Sequence, residues 1–187
     1  HHCKTRTCDL KIEVKKKTAM SWFLNLRNKI CTEFQELEDN LVLPNSTCTA
    51  GRFERKTWKH KDYRNMDGGG GEMSIMRGRV FEKVGVNIST VYGEFSPDFS
   101  KQIPGADKNP KFWASGISVV AHMCSPLVPA VHMNTRFIVT EKAWFGGGID
   151  MTTFFPDAEV EKAFHSRLKL CCERHGPDYH ARFSKWC

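Results

Sequence analysis

The stretch VPAVHMNTRFIVT, residues 128–140, decides how the chain is read. Laid out as a strand, its side chains alternate between two faces. Val131, Met133, Thr135, Phe137 and Val139 fall on one face, which is mostly apolar and reads as core. His132, Asn134, Arg136, Ile138 and Thr140 fall on the other. Had that second face met only water, Lys, Glu and Thr would serve as well. Its neighbours in sequence argue for more than solvent. FWASGISVVAHM, residues 112–123, reads as another strand, with Ser118, Val120 and His122 sharing a face. Glycine runs stand on either side, at Gly68–Gly71 and Gly146–Gly148. Paired across a sheet, these pieces make one polar floor beneath a cavity.

The chemistry of such a floor is narrow. Arg136 can hold a carboxylate through two parallel hydrogen bonds. Each charge-assisted bond contributes about 1.5–3 kcal/mol where water is excluded. Asn134 offers donors and an acceptor, and His132 can move a proton near neutral pH. The floor suits an acid-bearing substrate that undergoes proton transfer.

Outward from this strand, residues 143–151 form a further strand around the second glycine run, where interior glycines mark a bulge or a close approach. CSPLVP, residues 124–129, is a turn, since Pro126 and Pro129 exclude a central strand. Residues 79–95 are β-branched and aromatic and read as one or two strands. Residues 96–111 hold Pro97, Pro104, Gly105 and Pro110 and read as a loop. A helix is predicted over 18–41 from the stripe Phe23, Leu26, Ile30, Phe34, Leu37 and Leu41. A second runs from about Asp157 to Arg174, with Asp157 as N-cap, Glu159 and Glu161 in its first turn, the stripe Val160, Phe164, Leu168 and Cys171, and Gly176-Pro177 as the stop. Residues 42–71 look irregular and end in Gly68–Gly71, which reads either as a flexible loop or as backbone that approaches a ligand closely or binds an anion through its N–H groups. Residues 1–17 read as a loose basic lead-in. The order of helix, strands with short turns, then helix predicts an α+β domain over 18–187 with a mainly antiparallel sheet.

The chain has 187 residues, 40% hydrophobic and 26% charged, ordinary values for a globular domain. Its net charge of +7 suits an anionic partner, either nucleic acid or a small polycarboxylate. Nucleic acid is disfavoured: no basic stripe is interleaved with aromatics and no known motif is present. No run suits a membrane helix, and the N-terminus has no apolar signal region. The eight cysteines lack C-x-x-C spacing, so free thiols in a reducing, cytoplasmic compartment are expected. The sequons at Asn45 and Asn87 then carry little weight. Neither a phosphate loop, a dinucleotide fingerprint nor a nucleophile elbow occurs. A metal reading would use His122 and His132, or His165 and His175. No H-x₃-H or H-E-x-x-H geometry supports it, and His165, at the rim of a helix stripe, reads more simply as a core or edge residue.

Three blocks coincide with a known pattern: GGGGEMSIMRGRVFEKVGVNISTVYGEF (68–95), FWASGISVVAHMCSPLVPAVHMNTRF (112–137) and WFGGGIDMTTFF (144–155). Together, from about residue 18 to Cys187, they closely resemble oxygen-dependent coproporphyrinogen III oxidase. The H-x₉-H-x-N-x-R spacing beside F-G-G-G-x-D carries the resemblance. It implies a large flat antiparallel sheet with helices on both faces, incomplete in this chain, and a homodimer. It implies oxidative decarboxylation of two propionates of coproporphyrinogen III to vinyl groups, with O₂ as co-substrate, no organic cofactor, and protoporphyrinogen IX, CO₂ and H₂O₂ as products. By position it makes His132 the proton donor, Ser118, Asn134, Thr135 and Arg136 substrate-binding residues, and His122 and His165 ligands of a divalent metal such as Mn²⁺. The alternative is a non-catalytic tetrapyrrole-binding fragment, because family members extend past Cys187 with further site residues. Two departures stand out. Ser125-Pro126 replaces the usual Asn-Pro, and Glu72-Met73 stands where arginines usually follow the glycines.

Overall fold

The computed structural model describes residues 2–42 and 49–187; Asn45 and Cys48 lie outside them. Among the described residues six strands form one antiparallel sheet in which every strand pairs with its sequence neighbours. They are β1 (Glu54–Lys61), β2 (Asp67–Met76), β3 (Phe81–Glu94), β4 (Lys111–Met123), β5 (Ala130–Val139) and β6 (Ala143–Thr152). Helix α1 (His2–Asn40) precedes the sheet, a short α2 (Pro97–Ser100) interrupts it, and α3 (Ala158–Glu173) and α4 (Tyr179–Trp186) follow. The α+β class and the antiparallel sheet are as the sequence predicts. No described helix is long and apolar enough to cross a membrane.

Helix α1 lies across one face of the sheet. Phe23, Ala19 and Cys31 are buried there against Val84, Val86, Ile117, Val119, Ala121 and Phe137, with Leu26, Ile30 and Phe34 at the margin. Burial pushes the Cys31 thiol up, against Arg27 and Arg55, which pull it down. The apolar face foreseen for 131–139 is the one that meets this core.

Several boundaries differ from the sequence reading, each for a physical reason. The helix reaches back to His2, so residues 2–17 continue it rather than forming a loose lead-in. The lysines there are good helix formers, Ile12 packs at the edge of the core, and Lys16 sits 5.5 Å from the Trp113 ring centroid. Leu37, assigned to the apolar stripe, is exposed, and Glu38 takes the buried place beside it. The four glycines lie within strand β2, not in a loop, because β1 and β3 supply ladder partners on both sides. Asp67, at the start of that strand, accepts from the Tyr92 hydroxyl at 2.7 Å, and this bond with the Gly69 N–H lowers its carboxyl pKa. Helix α3 begins where expected, with Asp157 Oδ1 accepting from the Val160 N–H at 3.0 Å. It buries no residue and packs chiefly on α4, a helix the sequence reading does not include.

Glu38 ties α1 to the sheet. Its carboxylate accepts N–H groups from Gly51 (2.9 Å), Arg79 (2.7 Å), Val80 (2.9 Å) and Phe81 (3.0 Å). A second charged side chain, the cation Arg27, is buried on the same face, where it pairs with Glu72 and donates to Ser74 Oγ at 3.0 Å. Gly78 has no room for a side chain, since a Cβ would lie 2.3 Å from Glu38 Oε2. Burial raises the Glu38 carboxyl, but the N–H groups of Gly51, Phe81, Arg79 and Val80 outweigh it and hold it below its ordinary 4.5. A depressed folded-state pKa contributes stability above the unfolded value, lost as pH falls through the folded one. Glu38→Gln is therefore expected to cost on the order of 3 kcal/mol in urea unfolding at pH 7 and to make the loss of stability below about pH 4.5 shallower.

Candidate active site

Register places the polar residues. In an antiparallel pair, directly opposed residues share a face. Asn134 stands opposite Ser118, Ser118 opposite Asn87, and His132 opposite Val120 and Asp150. Arg136 stands opposite Gly116 on β4 and Gly146 on β6. All lie on the face away from α1. The floor predicted from alternation is thus assembled, across β3 to β6.

Asp150, which the sequence reading does not name as a site residue, is bonded to His132. The Nδ1 of His132 lies 2.7 Å from Asp150 Oδ2, and the Nδ2 of Asn134 lies 3.3 Å from His132 Nε2. A carboxylate only accepts, so the proton sits on Nδ1 and donates to Asp150. That leaves the Nε2 lone pair to accept from the Asn134 amide. The imidazole is held at both nitrogens, with Nε2 as the atom able to take up or release a proton. The signal was present in sequence: Asp150 has the same strand parity as Gly146 and Gly148.

Arg136 is exposed and has no ion pair or hydrogen bond among the described residues. With Ser118, Asn87, Ser89, Gly116 and Trp58 it lines a cavity of about 190 Å³. Thr135 borders the cavity too, but its strand position shares the α1 side with Met133 and Phe137. His122 lies on the floor face at the far end of β4, opposite Lys83, and is exposed. His165 is exposed on α3. Among the described residues no three His, Cys, Asp or Glu side chains converge on one point. His122 and His165 as placed do not fit a metal centre.

The glycines fall into two kinds. A Cβ on Gly71 would meet Ile88 O at 2.4 Å and Trp58 Cζ2 at 2.8 Å, and one on Gly116 would meet Arg136 Cβ at 2.8 Å. At Gly146 and Gly148 nothing lies within 4 Å. The first kind lets neighbouring groups close in, and the second leaves an open shelf beside Arg136 and Asn134.

A profile of the family described as coproporphyrinogen III oxidase matches residues 18–187, nine tenths of the chain. The chain belongs to the coproporphyrinogen III oxidase family. It is 48% identical over 178 residues to the oxygen-dependent coproporphyrinogen-III oxidase of Rickettsia akari (strain Hartford), covering 95% of this chain and 61% of that protein. To that of Rickettsia bellii (strain RML369-C) it is 48% identical over 167 residues, 89% of this chain and 58% of the relative. To that of Rickettsia conorii (strain ATCC VR-613 / Malish 7) it is 47% identical over 172 residues, 92% and 60% respectively. The chain spans about three fifths of the length of these relatives.

The two kinds of glycine are separable by experiment. Gly148→Val, a β-branched residue entering open space on a strand, should leave Tm within about 2 °C. Gly71→Val, driven into the Ile88 carbonyl and the Trp58 ring, should lower it by roughly 5 °C or more. Differential scanning calorimetry checks both.

Proposed function

We propose that the chain carries the substrate floor of an oxygen-dependent coproporphyrinogen III oxidase, acting in porphyrin synthesis. The observation that carries the reading is the Asp150–His132–Asn134 chain of hydrogen bonds beside the unpaired guanidinium of Arg136. The relatives' names supply the substrate.

In this reading Arg136 binds a propionate carboxylate, and Ser118 and Asn134 orient it. Loss of the pyrrole N–H proton makes the ring electron-rich enough to add O₂. The bound peroxide then takes a hydrogen from the propionate carbon attached to the ring as the carboxylate leaves as CO₂, so that a vinyl group and H₂O₂ result. Two electrons pass from the propionate to O₂ in each round. His132 carries a proton at Nε2 in this sequence, and Asp150 stabilises the imidazolium through Nδ1. No organic cofactor enters. A homodimer belongs to the same reading. The exposed Phe145 and Ile149 on the open edge strand β6 are compatible with a larger assembly, and light scattering gives the mass in solution.

Aerobic incubation with coproporphyrinogen III labelled in the propionate carboxyl tests the assignment. Labelled CO₂ is the expected product. His132→Ala should cut its release by roughly 100-fold or more while coproporphyrin III binding, followed by fluorescence, changes little. Asp150→Asn should lower kcat more than KM, since it removes the partner of the charged imidazole. Undiminished release from His132→Ala removes that residue from the chemistry. Absence of both release and porphyrin binding removes the assignment itself.

A further inference from the structure

The floor does not end at the residues already assigned. One row of directly opposed positions crosses five strands: Trp58 on β1, Gly71 on β2, Ser89 on β3, Gly116 on β4 and Arg136 on β5. Between the indole and the guanidinium the only side chain in this row is the hydroxymethyl of Ser89. Four strand spacings separate the ends by roughly 19 Å. Trp58 and Arg136 line the same cavity, and the Trp58 ring leans over Gly71, where a Cβ would sit 2.8 Å from Cζ2. The row is a smooth strip with an aromatic wall at one end and a free cation at the other.

Strand alternation puts Lys56 and His60 on the face of β1 that carries Trp58. The Trp58 and His60 rings meet edge to face at 6.5 Å between centroids, both half-buried, which confirms their common side. Lys56, opposite Met73, has no hydrogen-bond or ion-pair partner among the described residues. Glu54, the one acid on this face of β1, lies a further pleat away, opposite Ile75.

We propose that Lys56, Trp58 and His60 form a second carboxylate subsite at the far end of the floor. It receives the propionates on the side of the tetrapyrrole remote from Arg136, with Trp58 as the wall against the macrocycle rim. The subsite rests on the tetrapyrrole reading above. It makes the site selective for a macrocycle bearing acid groups on opposing sides over one bearing them on a single side.

Fluorescence titration of the 187-residue chain with two porphyrins tests this. Coproporphyrin III has propionates on all four rings; mesoporphyrin has two, on adjacent rings. The pair Lys56→Gln/His60→Gln should weaken coproporphyrin III binding by about tenfold and mesoporphyrin, anchored at Arg136, by less than about threefold. Trp58→Leu should weaken both. Lys15→Gln, which removes an exposed charge from α1 on the opposite face, should alter neither. Coproporphyrin III binding unchanged in the Lys56/His60 variant, or both porphyrins weakened equally, overturns the subsite while leaving the tetrapyrrole reading intact. A wild-type chain that binds neither porphyrin overturns the reading and the subsite together. Circular dichroism confirms that each variant is folded.

Discussion

Everything at the candidate site depends on one constraint, the fixed register of β3 to β6. Because opposed residues share a face, the pairing that sends Val86, Val119 and Met133 toward α1 necessarily sends Asn87, Ser118, Asn134 and Gly148 the other way. A slip of one residue would bury His132 and Arg136 under the helix and expose Phe137. The core therefore guards the chemistry: the apolar side cannot be satisfied in any other alignment.

Carboxylates show how location decides their role. Glu38 is enclosed and saturated by main-chain N–H groups, which leaves it nothing to do but hold α1 against the β2–β3 connection. Asp150 is open on the other face and spends one oxygen on an imidazole. Cations divide in the same way. Arg27 is buried and engaged with Glu72 and Ser74, while Arg136 keeps its donors unused above the floor. A buried charge must be matched within the chain, whereas one left exposed beside a cavity is available to something else.

The fold class and the polar face of β5 were legible because period-two alternation survives in the residue types themselves. So was the N-cap at Asp157, whose side chain competes for the first free N–H. Less legible were features set by pairing between distant segments. Nothing local marks the four glycines of β2 as a strand, since they owe that state to neighbours on both sides. Nothing local marks Glu38 as buried either, since it owes that place to the 78–81 segment that meets it. Asp150 needed the β5–β6 register before it became a partner of His132. The alignment of Trp58 with Arg136 needed four registers in succession.

The strand order also governs how the chain can reach this arrangement. With each strand hydrogen-bonded only to the one before and the one after it, the sheet is a succession of antiparallel pairings closable one at a time, by short turns except for residues 95–110 between β3 and β4. The clasp of Glu38 spans 41 to 43 residues to Arg79, Val80 and Phe81. Its N–H donors there do not converge on the carboxylate until the turn before β3 exists. Closing the Glu38 clasp therefore requires the β2–β3 turn, so this tie between helix and sheet is non-local even though the strand pairings are not.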